Sequence, residues 1–506
     1  MIKGVRKTLT ANWDLIFVFC SAIFVLISWV GWGKWLALGG DEGFEMVKAI
    51  VYSKQPSQFQ RLWNDQPNLS TIVFAFILKH VSFSIDIIRY FNILMVASSL
   101  VGAIAVIPKR SRLVGWIISI PLFMGYPGLP LLLCSAMLEP LAMSFGVLSS
   151  VFYLVAIKKK LISMLIVSAV LLAIGINFKF TSVLYFSLIL CFQCAHLAQN
   201  GLRELKRVTI RIGLFAITTI LLASAVYYIT DSSFDVNLAT HFSQNLIEGN
   251  RVKFDPINVL FESPVLIVGI ILAALRISEL GDVSRVVNAW LFHLAILILV
   301  FSIHAVWWNY YRIHFVIAML PIAIIGYSEL FEKIKVFFIK SGRLLRVLIV
   351  SVASMITLGV SVILIGSTAE HLKSFRIASE AVPGELINSI HEVRGNVKYM
   401  YSDLPLLNFY TECLPPPELA VLPAKRFWSG QIDQERIITT LNAYQPEILY
   451  FADPTVSDDI KWQDFFKDKY RKIWDGSQGQ AWAKYGFKIR SNTNRSDINL
   501  LKSMKL

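Results

Sequence analysis

Two adjacent carboxylates, Asp41 and Glu42, follow the first long apolar run of this chain, in the stretch GGDEGFEMVKAI at 39–50. A carboxylate beside a hydroxyl group can take up its proton while the hydroxyl oxygen attacks an electrophilic carbon. Asp41 is therefore a candidate general base, and Glu42 a second candidate catalytic residue. Asp65 in WNDQP and Glu139 in CSAMLEPLAM are candidate supporting carboxylates. Glu139 interrupts an apolar run, where an ionisable side chain is costly and marks a functional position by default.

Three basic residues are candidates for binding a phosphate group. Lys179 lies in the short turn INFKFTS between two apolar runs, and Arg251 and Lys253 lie in a polar segment. Lysine and arginine stabilise the charge that develops on a departing phosphate. Alternatively, Lys179 extends its ammonium from an apolar helix to the membrane interface, and the other two are ordinary loop charges.

An aromatic turn, HAVWWNYYRIH at 304–314, supplies candidate sugar- or acceptor-binding side chains. They are His304, Trp307, Trp308, Tyr310 and Tyr311. Because Trp and Tyr are enriched where helices leave a membrane, an interfacial aromatic belt is the alternative interpretation. For His304 and His314 a structural role is favoured over metal ligation.

The composition indicates that membrane helices position these residues. Of 506 residues, 55% are hydrophobic and 16% are charged, whereas about a quarter of the residues of soluble proteins are charged. The net charge of +14 is explained by basic clusters in cytoplasmic loops. The sequence has neither zinc-finger spacing nor a basic helix, so nothing in it indicates nucleic-acid binding.

Apolar runs and basic clusters alternate along residues 1–367 and predict an all-α polytopic membrane domain with a cytoplasmic N-terminus. About eleven spans are predicted, at 14–37, 86–107, 113–126, 131–157, 161–177, 181–197, 212–230, 263–277, 286–306, 314–331 and 347–366. Outer loops are predicted at 38–85 and 231–262. Within the first loop, the short apolar segment 71–83 predicts a helix at the outer interface.

An odd number of spans places residues 368–506 outside the membrane, as a periplasmic or extracellular domain. Strand-like runs at 397–401 and 448–451 alternate there with helix-like runs at 383–393 and 433–443. This alternation predicts a small α/β domain. No nucleotide-binding glycine motif is found in it.

This topology places the candidate side chains on the outer side of the membrane. They would then lie beside the membrane, where a lipid tail can rest. The set includes carboxylates that activate a hydroxyl, cations that hold a phosphate and aromatic rings that cover a sugar. Such a set favours transfer of a sugar from a polyprenyl phosphate carrier to a hydroxyl acceptor. Membrane burial would exclude water, which otherwise hydrolyses the donor.

The sequence also resembles a known family, the GT-C type glycosyltransferases. It is most similar to bacterial members related to the protein O-mannosyltransferases of glycosyltransferase family 39 and to the lipid A aminoarabinose transferases. The resemblance is carried by GGDEGFEMVKAI with the following WNDQPN turn, where Asn68 replaces the second proline of the family pattern. It continues through SAMLEPLAMSF, INFKFTS, HAVWWNYYRIHF and SDLPLLNFYTECLPPPELAVLPAKRFWSG.

The resemblance implies inverting transfer of a hexosyl or pentosyl group from a polyprenyl phosphate donor to a hydroxyl of a glycan, lipid or protein. It implies Asp41 as the base, Glu42 beside it, and Lys179, Arg251 and Lys253 at the lipid phosphate. It also implies a bacterial inner membrane as the location. Some members bind a divalent metal and others do not, and this sequence shows no evident ligand set.

Three alternatives remain open from the sequence. A lipid-linked-glycan transporter or flippase would also need intramembrane charge, although transporters usually place it near the midplane of two related halves. A glycan ligase or polymerase would differ mainly in using a diphosphate-linked donor. A membrane receptor would leave the Asp41–Glu42 pair and Glu139 unexplained.

Overall fold

A computed structural model describes most of the chain, and the chain forms two compact units. The described residues are 13–30, 38, 41–109, 111–112, 116–117, 129–232, 255–281, 283–304, 307–340, 384–476 and 479–489. The first unit, called the helical unit here, comprises 1–33, 65–70 and 84–376, and the second, the mixed unit, comprises 34–64, 71–83 and 377–506. The predicted spans 113–126, for the most part, and 347–366 lie outside the described residues, as do Arg251 and Lys253.

The described part of the helical unit consists of helices and short connections. The helices are α1 Trp13–Val30, α5 Ile85–Ala105, α6 Leu129–Cys134, α7 Leu138–Lys159, α8 Ile162–Phe178, α9 Leu184–Asn200, α10 Leu205–Ile229, α11 Pro256–Phe261, α12 Pro264–Ala274, α13 Val283–Ile303 and α14 Arg312–Lys340. Helices α9 and α14 follow short 3-10 turns at Phe180–Val183 and Asn309–Tyr311. The numbers α2 to α4 belong to the mixed unit.

Six helical segments of the described residues are long and apolar enough to cross a membrane. They are Ile85–Ala105, Leu138–Lys159, Phe180–Ala198, Leu205–Ile229, Val283–Ile303 and Asn309–Phe337. Shorter apolar helices occur at Trp13–Ser28, Leu69–His80, Ile162–Phe178 and Pro264–Ala274. The chain is therefore a multi-pass membrane protein, and the count of about eleven spans stays a prediction.

The predicted span 131–157 is wrong as one continuous helix, because the backbone breaks between α6 and α7. The Asn92 side chain of α5 fills this break and donates hydrogen bonds to the carbonyls of Ser135 (2.6 Å) and Met137 (2.9 Å). Non-helical backbone at membrane depth is tolerated only where such partners satisfy it. Pro140 suits the first turn of the new helix, where its missing N–H has no intrahelical acceptor to lose.

The mixed unit combines segments from both ends of the sequence. Its helices are α2 Glu42–Lys54, α3 Pro56–Phe59, α4 Leu69–His80, whose first two residues count with the helical unit, α15 Gly384–Val393, α16 Pro405–Thr411, α17 Ala424–Trp428, α18 Gln434–Tyr444 and α19 Ile460–Phe466. Its strands are β1 Met400–Ser402, β2 Ile448–Phe451, β3 Tyr470–Gly476 and β4 Gly479–Lys484.

A four-stranded sheet in the order β1-β2-β4-β3 forms the centre of the mixed unit. Strand β1 runs parallel to β2, and the other pairs are antiparallel. Side chains alternate across β2, so Ile448 and Tyr450 join one hydrophobic core and Leu449 and Phe451 join another. Helices cover both faces, and the predicted small α/β domain is confirmed.

The segment after the first apolar run is part of the same compact unit as the C-terminal segment. Helix α2 packs closely on α16, since a Cβ atom at Gly43 would lie 3.2 Å from the Pro405 side chain. Lys54 donates a 3.0 Å hydrogen bond to the Glu412 carboxylate. Phe83 stacks on Phe409 with ring centroids 5.1 Å apart. Residues more than 300 positions apart therefore share one folded body.

Replacing Asn92 by Leu should destabilise the helical unit. The change leaves the two buried carbonyls of the α6–α7 break without their side-chain donor, at a cost of about 1–3 kcal/mol for each unsatisfied group. Thermal unfolding in lipid nanodiscs measures the effect. Ser98→Ala on the same helix is the control, because Ser98 bonds only the carbonyl of Leu94 in its own helix. Equal unfolding temperatures for the two variants would contradict the role given to Asn92.

Candidate functional site

Glu139 occupies the first turn of α7 and is fully buried. A buried carboxylate is tolerated only where partners compensate its charge. The amino end of a helix supplies part of this compensation, because its free N–H groups carry partial positive charge. The break at Ser135–Met137 is what places that helix end next to Glu139 in the interior of the helical unit.

Lys179 is the direct partner of Glu139. Its Nζ forms an ion pair with Oε2 of the carboxylate at 2.6 Å, and both side chains are almost fully buried. Helix α8 ends at Phe178, so the backbone of Lys179 is extended and its side chain can turn toward α7. The ammonium also lies over the ring of Tyr310, 4.1 Å from its centroid. Lys179 is thus held between a carboxylate and an aromatic face.

Two further side chains, His314 of α14 and Tyr185 of α9, form a polar series that leads to Glu139. Nε2 of His314 lies 2.5 Å from Oε1 of Glu139. Since a carboxylate only accepts, this nitrogen carries the shared proton. Nδ1 of the same ring lies 3.0 Å from the Tyr185 hydroxyl, within hydrogen-bond distance. The Tyr185 ring can reach His314 because it packs directly on the backbone of α7 at Gly146. Any side chain at this position would collide with the ring.

The chain of polar groups extends one step further within the same interior. The ring centroids of His293 and Tyr185 are 5.4 Å apart. The Ser187 hydroxyl lies 2.8 Å from Nδ1 of His293. His293 is fully buried, and its Nε2 has no hydrogen-bond partner among the described residues. The helical unit therefore holds a connected set of ionisable groups that starts at Lys179 and ends at His293.

The predicted aromatic turn forms a compact cluster at the start of α14. Trp307 and Tyr311 are buried and pack against Phe301, whereas Trp308 and Tyr310 are partly exposed and stack with ring planes 9° apart. The ring of His304 lies 6.0 Å from that of Tyr311. The predicted sugar- or acceptor-binding side chains are thus close together, and their role stays a prediction.

Asp65 is buried in the turn that leads into α4, and Gln66 donates a 3.1 Å hydrogen bond to its carboxylate. The neighbouring Asn68 donates to the carbonyls of Thr230 and Asp231 at the end of α10. These contacts show how the turn is fixed, and the role of Asp65 as a supporting carboxylate stays a prediction.

In the mixed unit, Asp41 and Glu42 differ in their surroundings. Asp41 precedes α2, is partly exposed, and its side chain makes no capping hydrogen bond to the helix. Glu42 is fully buried and accepts a 2.8 Å hydrogen bond from the backbone N–H of Leu38. Asp41 is therefore the carboxylate that a ligand can reach, and Glu42 holds the preceding backbone.

One turn further along α2, a buried ion pair supports this region. Lys48 donates to Glu45 at 2.7 Å and to the side-chain oxygen of Asn64 at 3.1 Å. Both charged side chains are less than one tenth exposed. Glu45 and Lys48 therefore compensate each other's charge. Of the acids at the start of α2, Asp41 is the one that is partly exposed.

The described residues do not suit a metal ion. No three His, Cys, Asp or Glu side chains are grouped there as a metal site requires. His314, the histidine in contact with a candidate carboxylate, uses both ring nitrogens in hydrogen bonds to Glu139 and Tyr185.

An apolar cleft of about 860 Å³ opens between α8 and α10. Asn177 and Phe180, which flank Lys179 in the chain, contribute to its wall. Its other lining residues are Ile176, Thr219, Ile220, Ala223, Ser224, Tyr227, Tyr228, Ile229, Asp231 and Ser232. The cleft is large enough to hold several isoprenoid units.

Sequence reasoning missed several of these residues. Tyr185 lies in the apolar run VLYFSL, where nothing distinguishes it from an ordinary core tyrosine. His293 was detectable, because an ionisable residue inside a predicted span is a functional candidate by default. Lys48 resembles a surface lysine in the sequence, and only the fold shows that it is buried and paired with Glu45.

Comparison with solved structures shows which fold this is. The chain is similar to ArnT from Cupriavidus metallidurans in the apo state, with 11% identity, a TM-score of 0.64, and 94% of this chain and 98% of that chain covered. For ArnT bound to undecaprenyl phosphate the identity is 12%, the TM-score 0.59 and the coverage 92% and 97%. The chain is also similar to the archaeal oligosaccharyltransferase AglB from Archaeoglobus fulgidus, in complex with an inhibitory peptide and a dolichol-phosphate. Here the identity is 10%, the TM-score is 0.54, and 96% of this chain and 75% of that chain are covered.

These similarities show that the chain has the GT-C-type glycosyltransferase fold, which confirms the fold that the sequence resemblance implied. No protein-family model matches the sequence, and a comparison with curated proteins found no match. At such low identity the likeness concerns the fold alone, so substrate and mechanism must be argued from the side chains.

A double-mutant cycle should show strong coupling between Glu139 and Lys179. We expect Glu139→Gln and Lys179→Met each to cost about 3–5 kcal/mol, because each leaves an uncompensated buried charge or donor. The double variant should cost clearly less than the sum of the two. The free energy of unfolding from detergent titration measures this. The exposed Glu204–Arg207 pair is the control, with an expected coupling of about 0–1 kcal/mol; additive effects at Glu139 and Lys179 would contradict the assignment.

Proposed function

We propose that this chain is a membrane glycosyltransferase that moves a sugar from a polyprenyl-phosphate-linked donor to a hydroxyl acceptor. The observation that carries the proposal is Lys179, a buried ammonium whose neighbour Phe180, like Asn177 two positions before it, lines a lipid-sized apolar cleft. The GT-C-type fold supports the same reading, since ArnT has been solved with undecaprenyl phosphate and AglB with dolichol-phosphate.

The surroundings of Lys179 suit a phosphate. Glu139 and the Tyr310 face keep the ammonium in one place before the ligand arrives, so binding costs little reorganisation. In this poorly hydrated position an electrostatic attraction is stronger than in water. Arg251 and Lys253, which lie outside the described residues, are proposed as further cations at the phosphate.

The cleft suits the isoprenoid tail of such a donor. Its apolar walls can pack against the tail, which is already out of water in the membrane, so close packing and not transfer from water would favour binding. The partly exposed Trp308–Tyr310 stack is proposed to cover the sugar ring or the acceptor. With His304, Trp307 and Tyr311 it forms the proposed sugar- and acceptor-binding set.

The proposed reaction is a single inverting displacement. The acceptor hydroxyl oxygen attacks the anomeric carbon, its proton passes to the carboxylate of Asp41, and the bond between that carbon and the phosphate oxygen breaks. The bonding electron pair leaves with the phosphate, so polyprenyl phosphate departs with one more negative charge than the donor phosphate carried. Cations such as Lys179 stabilise this charge. Asp41 later releases its proton to water.

Localisation follows the same proposal. We propose an inner (plasma) membrane protein with a cytoplasmic N-terminus, and with Asp41 and the C-terminal segment outside the cytoplasm. A glycan ligase with a diphosphate-linked donor is the second candidate, because Lys179 with additional cations would suit a diphosphate as well.

The Asp41→Asn variant should lose transfer activity by about 10²–10⁴-fold, the usual contribution of a general base. The assay uses purified protein in nanodiscs with a panel of radiolabelled polyprenyl phosphate sugars and a cell-envelope extract as acceptor, and follows release of free polyprenyl phosphate. Asp464→Asn is the matched control, since Asp464 is an exposed acid of the same unit.

Each outcome of this assay has a definite meaning. Release by wild type and by Asp464→Asn but not by a folded Asp41→Asn variant supports both the transferase and the base. Release by all three removes Asp41 from its role. If wild type releases nothing from any monophosphate donor but turns over a diphosphate-linked glycan, the ligase is the correct function.

A further inference from the structure

A second cavity of the helical unit lies where α7 ends and where α8 and α10 begin. Its volume is about 290 Å³, and residues of all three helices line it. Lys179 follows the other end of α8, which has 17 residues. The cavity and Lys179 are therefore separated by about 25 Å along this helix, and the cavity is no part of the candidate site described above.

Three cations line this cavity, namely Lys160, Arg207 and Arg211. Its described lining residues include no acid. Glu204 pairs with Arg207 at 2.7 Å, and the Arg207 side chain is 69% exposed. Arg207 and Arg211 are four positions apart on α10, where like charges repel each other. The surroundings of the cavity therefore carry excess positive charge, which a bound anion would compensate.

Arg211 is the cation whose position most needs an explanation. It lies in the second turn of α10 and is partly buried. Its Nη1 is buried and has no hydrogen-bond partner among the described residues. An arginine keeps its charge in proteins, and a buried charged donor without an acceptor is costly. A charge that only fixes the topology can stay in a loop, so the topology does not explain why Arg211 is buried.

Lys160 adds its charge at a position that is unfavourable for a lysine. It ends α7 in the left-handed conformation, with φ 55°. The N–H of Leu161 bonds the carbonyl of Ala156 at 3.2 Å and closes the helix. Glycine is preferred at such a position, because a Cβ atom is crowded there. The backbone thus gives a lysine no local advantage, and what Lys160 contributes is a cation at the cavity.

The rest of the lining is apolar and partly faces outward. Leu161 and Ile162 are 42% and 66% exposed. Ile157 and Leu165 are buried and belong to a hydrophobic core that includes Phe215 of α10. Cations beside exposed apolar side chains suit a ligand that has both a negative group and a hydrocarbon part. A phospholipid with a net negative headgroup has both, whereas a soluble phosphate has only the first.

We infer that this cavity binds the headgroup of an anionic phospholipid. Arg211 donates to the lipid phosphate, Lys160 and Arg207 add positive charge, and the acyl chains lie along Leu161 and Ile162. Basic pockets between membrane helices on the cytoplasmic side are known to bind such headgroups, and the predicted topology places the cavity on that side. The inference goes beyond the proposed function and does not depend on it, because the sugar donor is proposed to bind elsewhere.

Native mass spectrometry of the full-length protein, titrated with lipid in detergent, tests this binding without need of turnover. The probes are dioleoylphosphatidylglycerol, dioleoylphosphatidylcholine, which has the same acyl chains but no net charge, and water-soluble glycerol phosphate. Arg211→Gln removes the proposed phosphate donor. Arg203→Gln is the matched control, because Arg203 is exposed, precedes α10 by two residues and does not line the cavity.

We expect wild type to bind phosphatidylglycerol at least about tenfold more tightly than phosphatidylcholine, and Arg211→Gln to lose about tenfold in affinity for phosphatidylglycerol, the effect of one charged hydrogen bond. Arg203→Gln should bind as wild type does. Equal phosphatidylglycerol affinities of wild type and Arg211→Gln overturn the inference. Glycerol phosphate that binds as tightly as phosphatidylglycerol, and only when Arg211 is present, overturns the lipid as the occupant.

Lys160→Gly provides a second test with a variant that keeps the fold. Since glycine suits the left-handed backbone, its unfolding temperature in phosphatidylcholine nanodiscs should equal or exceed that of wild type. Phosphatidylglycerol nanodiscs should raise the unfolding temperature of wild type, because a ligand of the folded state stabilises it. The rise should be smaller in Lys160→Gly and in Arg211→Gln. An equal rise in all of them, or an equally reduced rise in Arg203→Gln, would contradict a specific site.

Discussion

The buried ion pair between Glu139 and Lys179 is the interaction on which the rest of the helical unit depends. A carboxylate with no exposed surface is unstable in an apolar interior unless charge and hydrogen bonds compensate it. Compensation here requires a helix start at Leu138, a turn at Lys179 and a histidine on α14. The break before α7, the short hairpin between α8 and α9 and the Gly146 contact all serve this one requirement.

The mixed unit meets a different constraint, because it must join two distant parts of the chain. Its sheet and cores belong to the C-terminal segment, whereas α2 and Trp63 come from the first hundred residues. The ion pair of Lys54 with Glu412 and the hydrogen bond of Trp63 with Gln431 fix this union. The C-terminal segment therefore packs against the helix that Asp41 precedes, within one folded unit.

The two units also illustrate how fold and function are linked. At 10–12% identity, the shared GT-C-type fold preserves the arrangement of helices but leaves individual side chains free to change. Function must therefore be argued from groups whose burial and charge have no simpler explanation. The buried Lys179–Glu139 pair is such a group, whereas Glu42 and Arg426 are explained by the backbone that they hold.

Elements that depend on local periodicity and composition could be predicted from the sequence. Membrane helices such as Ile85–Ala105, the C-terminal strand Ile448–Phe451 and the GT-C-type fold were all predictable, because hydrophobic runs and motif order are local properties of the chain. Glu139 and Lys179 were recognisable as unusual for the same reason. The sequence could not determine that they pair, since they are 40 positions apart and nothing local selects the partner.

Contacts between distant parts of the chain produce the break at Ser135–Met137, the Tyr185–His314 link and the position of Lys425 over Trp63. The break is invisible in an apolar run because its stabilising group, Asn92, belongs to another helix. Lys425 has the sequence context of a surface lysine and gains its lowered pKa from burial in the folded unit. Long-range packing, which depends on the whole fold, sets these features, and no local pattern in the chain encodes them.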